Sequence, residues 1–169
     1  MLGPLQRYLK GVDRGEYQRD DSQEVALRLL QKLFDEISAS VDQPRSGFLT
    51  RLIGKKGNPP LVRGLYFWGG VGRGKTFLMD LFYEELPIKQ KKRLHFHRFM
   101  REVHRKLNDF QGESNPLKKV AASFAGQARV ICFDEFFVSD ITDAMLLAGL
   151  LDEMFKLGVT LVATSNVEP

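Results

Sequence analysis

Lys75 and Thr76 end the run Gly69-Gly70-Val71-Gly72-Arg73-Gly74-Lys75-Thr76, an order of residue types suited to holding phosphate. The pattern G-x-x-x-x-G-K-[ST] lets main-chain N–H groups converge on one anion, because glycine accepts backbone angles that other residues resist. A lysine placed there reaches the β- and γ-phosphate oxygens, and the hydroxyl beside it can ligate Mg²⁺. Further along, Asp134 and Glu135 close the apolar run "RVICFDEFF". Asp134 would hold the metal's shell, and Glu135 would polarise an attacking water as general base. Beyond them, Ser165 and Asn166 end "GVTLVATSN". The Asn166 amide could bond the γ-phosphate or position the water, although Ser-Asn is also ordinary turn chemistry.

These groups need elements to position them, and from residue 61 the pattern alternates. It predicts strands at 64–68, 93–97, 129–133 and 159–164, and helices at 75–86, 98–111, 116–125 and 140–157. Pro87, Gly112 and Gly158 supply helix stops. "VICFD" and "TLVAT" are short and apolar, as strands buried on both faces should be. The expected fold is a P-loop α/β domain, three layers α/β/α around a mostly parallel sheet. The helix starting near Lys75 would add its positive end to the anion site. The Asp134-Glu135 strand is expected beside the loop strand.

Upstream, residues 1–20 read as a loosely ordered lead-in. Residues 21–38 read as a helix, with Asp21 and Glu24 spaced as a capping box. Its apolar stripe would be Val25, Leu29, Leu33 and Ile37 with Ala26, Leu30 and Phe34. Residues 39–60 read as a basic linker. The chain then divides into 1–60, lead-in, helix and linker, and 61–169, the nucleotide-binding core.

Composition narrows the setting. A single cysteine, Cys132, leaves no disulfide framework and suits a reducing cytosol. The N-terminal run lacks the apolar core of a signal peptide, and no stretch of ~18 apolar residues could span a membrane. A net charge of +4 mildly suits an anionic partner, whether nucleotide, nucleic acid or acidic lipid. The lysines and arginines scatter without an aromatic-basic platform, which counts against nucleic acid.

The order phosphate loop, Asp-Glu strand, Asn strand is that of AAA+ ATPases. "VRGLYFWGGVGRGKTFLMDLFY", "RLHFHRFMREVHRKL" and "VICFDEFFVSDITDAMLLAGLLDEMF" resemble the ZapE family of cell-division ATPases of Gram-negative bacteria. The lactation-elevated ATPases are mitochondrial relatives of that family. The resemblance implies an ATPase using ATP and Mg²⁺, with Gly69 to Thr76 on the phosphates and Thr76 and Asp134 on the metal. It places Glu135 and Asn166 in catalysis. It further implies a cytoplasmic protein recruited to the division site, direct contact with FtsZ, and self-association of the full-length protein. Family members continue past the asparagine with a fifth core strand, a helical lid and arginines that complete the site. The sequence is therefore expected to be an N-terminal fragment, nearly inactive as an ATPase in isolation. The alternative function is an AAA+ helicase loader or nucleic-acid motor.

Other residues carry double readings. His95 and His97, two apart on an expected strand, would share one face. They could form a metal pair, but no third ligand is near in sequence, and packing at the sheet edge is the better reading. Gln23 could read the edge of adenine or be plain helix surface. Arg73 could touch phosphate or a neighbouring subunit, or face solvent. Cys132 is expected to act as a small buried hydrophobe. Residues 47–56 would put Phe48, Leu49, Leu52 and Ile53 on one helical face that could touch anionic lipid or a partner protein, leaving a peripheral membrane contact open, but a solvated linker is the better reading.

Overall fold

In the computed structural model, residues 2–42 and 62–168 are described. Two helices lead, α1 (Pro4–Asp13) and α2 (Asp21–Asp42). After them come β1 (Leu65–Trp68), α3 (Lys75–Glu85), β2 (Lys91–His95), α4 (Phe96–Asp109) and α5 (Pro116–Gln127). β3 (Val130–Asp134), α6 (Ile141–Lys156) and β4 (Thr160–Ser165) follow. The strands form one parallel four-stranded sheet in the order β1-β4-β3-β2. The expected α/β/α fold is therefore present. One detail differs: β3 does not lie beside the loop strand, because β4 runs between them.

Strand alternation explains the layers. Val130 and Cys132 of β3 point to one face, and Ile131 and Phe133 to the other. The first face is covered by α1, α2 and α3 through Tyr8, Leu27, Leu30, Leu78 and Phe82. The second is covered by α4, α5 and α6 through Phe99, Val103, Phe124, Leu150 and Met154. Side chains as deeply buried as Phe82 and Phe133, both 0% exposed, each contribute about 2–3 kcal/mol of transfer free energy.

Boundaries show where local pattern and tertiary context disagree. Residues 4–13 are not a loose lead-in: α1 buries Tyr8 completely, and its chain leaves through Gly15 with φ +73°. α2 is capped by Asp20 rather than Asp21. The Asp20 Oδ1 accepts from the N–H groups of Ser22 (2.8 Å) and Gln23 (3.1 Å), while Glu24 turns to Arg19. The buried stripe of α2 is Leu27, Leu30, Leu33, Phe34 and Ile37; Val25 and Leu29 lie on the exposed side. β2 starts two residues early and ends at His95, so His97 stands on α4 rather than on the strand. The amphipathic stretch 47–56 and the domain boundary at 60–61 lie outside the described residues.

Candidate active site

β1 delivers the chain into the loop, and Gly74 turns it into α3. Gly72 and Gly74 have φ of +83° and +75°, values that side-chain-bearing residues resist. Gly74 N-caps α3 without a side-chain cap, and the N–H groups of Gly72 through Thr76 have no protein acceptor among the described residues. These donors and the helix dipole share one concave face, as an anion site requires. Lys75 folds back over the loop, its Nζ donating to the carbonyls of Gly69 (2.6 Å) and Gly70 (2.8 Å). Arg73 is exposed at the rim. The Gln23 amide packs against the loop, so close that a Cβ on Gly74 would lie 2.7 Å from its nitrogen.

The carboxylates arrive from β3. His95 and Asp134 are in register across β2 and β3, and Arg93 lies one pleat back on the same side as Asp134. The Arg93 Nε donates to Asp134 Oδ2 at 2.8 Å, and its Nη2 donates to Oδ1 at 3.2 Å. Its Nη1 bonds Asp80 of α3. Burial disfavours the Arg93 charge, yet the bonds to Asp134 and Asp80 outweigh that and hold the guanidinium above its ordinary range. Sequence reasoning missed this arginine. Its signal was faint: a charged residue inside a strand whose side must face another element.

Glu135 has φ of +55°, a left-handed backbone that costs a non-glycine residue about 1 kcal/mol or more. The next residue is pinned, since the Phe136 N–H donates to the Thr164 carbonyl at 2.7 Å. The chain therefore turns sharply at Glu135 and presents its carboxylate outward, with Oε2 3.8 Å from His95 Nδ1. At the end of β4 the Ser165 Oγ accepts from the Val167 N–H at 3.0 Å, which is turn chemistry. That turn leaves Asn166 exposed at the mouth of the cleft.

Val71 to Phe77, Arg93, His95, Asp134, Glu135, Thr164, Ser165 and Asn166 line one cleft of about 630 Å³. Nearly every residue proposed from sequence for the site thus meets there; Gly69 and Gly70 form the loop's entry just behind. The Thr76 hydroxyl and the Asp134 carboxylate are hard oxygen donors, the kind Mg²⁺ takes. Among the described residues no group of three or more His, Cys, Asp or Glu could hold a metal by itself. Mg²⁺ typically keeps several waters and is held by one or two protein oxygens together with substrate phosphates, so this donor set fits a metal–nucleotide pair. The stacked rings of His95 and His97, 5.8 Å apart, belong to no such metal cluster.

The parallel sheet, with the strand that leads to Asn166 inserted between loop strand and carboxylate strand, is that of P-loop AAA+ domains. Solved structures agree on the fold. The DnaC helicase loader superposes with a TM-score of 0.55 at 17% identity, covering 90% of this chain and 75% of that one. AMPPCP-bound DnaA from Aquifex aeolicus gives 0.55 at 14% identity, covering 89% of this chain and 40% of that one. The chain belongs to the AFG1-like ATPase family, whose model matches residues 2–169. It is 51% identical over 175 residues to the cell division protein ZapE of Escherichia coli K12, covering 98% of this chain and 46% of that protein. It is 44% identical over 125 residues to lactation elevated protein 1 homolog B of Danio rerio, covering 68% of this chain and 24% of that protein. The chain spans about half the length of the Escherichia coli relative. No helix among the described residues is long and apolar enough to cross a membrane.

Proposed function

We propose that this chain binds ATP with Mg²⁺ in the cleft, and that the protein hydrolyses ATP in the service of cell division. The observation that carries the reading is the meeting of loop N–H groups, Lys75, Asp134, Glu135 and Asn166 around one space. The loop amides and Lys75 would bind the phosphates, and Arg73 would lie over their outer side. Thr76 and Asp134 would hold Mg²⁺, which when bound neutralises charge on the phosphate oxygens. Glu135, outward-facing and set by the turn at Phe136, would take the proton from the attacking water. Asn166 would orient that water or the terminal phosphate.

The division role rests on the Escherichia coli relative's name, and action on the FtsZ ring rests on the family resemblance of the sequence blocks. A cytoplasmic protein recruited to the division site fits both. The first experiment is calorimetric titration of Mg-ATP into the wild type and into Lys75→Ala. Binding by the wild type and its loss in the variant are expected; equal affinity would remove the phosphate-loop assignment. FtsZ co-sedimentation with and without ATP tests the partner. Filter binding to single-stranded DNA across a salt series tests the nucleic-acid motor, because counterion release makes true DNA binding steeply salt-dependent.

A further inference from the structure

Arg93 is joined to two carboxylates from two different elements, Asp134 on β3 and Asp80 on α3. Asp80 stands one turn beyond Thr76 on α3, the spacing that puts i and i+4 side chains on one face. The arginine therefore links the helix that carries the metal-binding hydroxyl to the strand that carries the metal-binding carboxylate. Its fork occupies both oxygens of Asp134, a geometry that a planar guanidinium provides and an ammonium does not. Arg93 and Asp134 are only 20% and 17% exposed, so salt screens the pair weakly.

We infer that Arg93 is the resident counter-cation of this site, and that it keeps a divalent cation out until a nucleotide accompanies it. Take the arginine away and Asp80 and Asp134, the two carboxylates it joins, lose the cation between them. Such a pair, beside the Thr76 hydroxyl, would attract free Mg²⁺ or Mn²⁺ more strongly than the neutralised one does. With Arg93 in place, a bare cation must prise Asp134 from the fork and endure the guanidinium charge. A metal–nucleotide complex brings its own negative oxygens, which offset that charge and complete the coordination. Arg93 acts through Asp134, so it is a positioning residue, and it sets the order in which ligands enter. The inference rests on the nucleotide reading above.

The test uses Mn²⁺ alone, titrated into the 169-residue chain and followed by the electron paramagnetic resonance signal of free Mn²⁺. Circular dichroism melts establish that each variant is folded. Arg93→Gln should bind Mn²⁺ about tenfold or more tighter than the wild type, because a full charge close to the site has gone. Arg93→Lys keeps the charge but grips one oxygen at a time, so it should fall between the two. It decides the matter if the Gln variant does not fold. Metal-free ADP should bind wild type and Arg93→Gln with similar affinity. Equal Mn²⁺ affinity in wild type and the folded variants overturns the inference. So does a loss of metal-free ADP binding in Arg93→Gln as large as that in Lys75→Ala, which would put the guanidinium on the phosphates. The Mn²⁺ comparison needs no nucleotide, so wild-type failure to bind Mg-ATP would sink the nucleotide reading separately.

Discussion

The ring of Tyr17 meets that of Phe77 edge-on, with 4.8 Å between centroids, and so clamps the turn after α1 to the first turn of α3. Tyr8 stacks on Tyr17 at 6.1 Å and is fully buried. Its hydroxyl accepts from the Asp20 N–H at 2.9 Å and donates to the Gln18 carbonyl at 3.3 Å. The N-terminal helix is thus a wedge behind the phosphate loop. Tyr8→Ala should cost about 3–5 kcal/mol, as large aromatic truncations in cores do. Tyr8→Phe, which keeps the ring, should cost only about 1 kcal/mol. Urea denaturation measures both, and an unchanged midpoint for Tyr8→Ala would show that α1 does not pack in solution.

Glu135 is expected to trade stability for chemistry. Glu135→Gly should be more stable than Glu135→Ala by about 1 kcal/mol, since only glycine relieves the left-handed backbone without strain. Glu135→Gln should keep ATP affinity and lower turnover of the hydrolysing protein by about 10²–10⁴-fold. Parent-rate turnover in that variant would move the general base elsewhere.

Asp134→Asn should act on the metal rather than on the phosphates. Its affinity for ATP without metal should stay close to the wild type, while the gain on adding Mg²⁺ should shrink about tenfold or more. Calorimetry with and without Mg²⁺ reads the difference. A variant that keeps the full Mg²⁺ gain would show that Asp134 does not serve the metal.

Cys132 offers a pH test. Burial pushes its thiol up to about 12, because the thiolate would lie among apolar neighbours. The folded state keeps this proton over a range where the unfolded chain has already released it. The stabilisation is full below the ordinary thiol range and drains as pH rises from there through about 12. Urea midpoints should fall with alkaline pH, and Cys132→Val should remove part of that fall. A thiol reagent should label Cys132 only as fast as the protein unfolds; rapid labelling of the native state would contradict the burial.

Much of the candidate site was legible because its residues are local in sequence. The loop's glycines, Lys75 and Thr76 are contiguous, and Asp134 and Asn166 each end an apolar run that could only be a strand. Strand order was not legible, since no periodicity in β3 or β4 records which neighbour each will find. The β2–α4 boundary blurred because His95, Phe96 and His97 satisfy an alternating pattern as well as the start of a helix. α1 was missed because its apolar contribution is concentrated in Tyr8, with charged residues around it. Arg93 was missed for a similar reason: its partners, Asp80 and Asp134, are distant in sequence and meet only through the sheet register.

The insertion of β4 between β1 and β3 also dictates when the protein can become itself. β2 and β3 pair with each other as soon as both have emerged from the ribosome, but β1, made earlier than either, has no described partner except β4. During synthesis the loop strand must wait with an open edge until residues 160–165 appear and slide into the gap. Such a gap, closed late and between two existing strands, favours slow folding and leaves a transient edge open to association. Phosphate-loop geometry therefore waits on β4, and a nascent chain halted before β4 should be a client for chaperones.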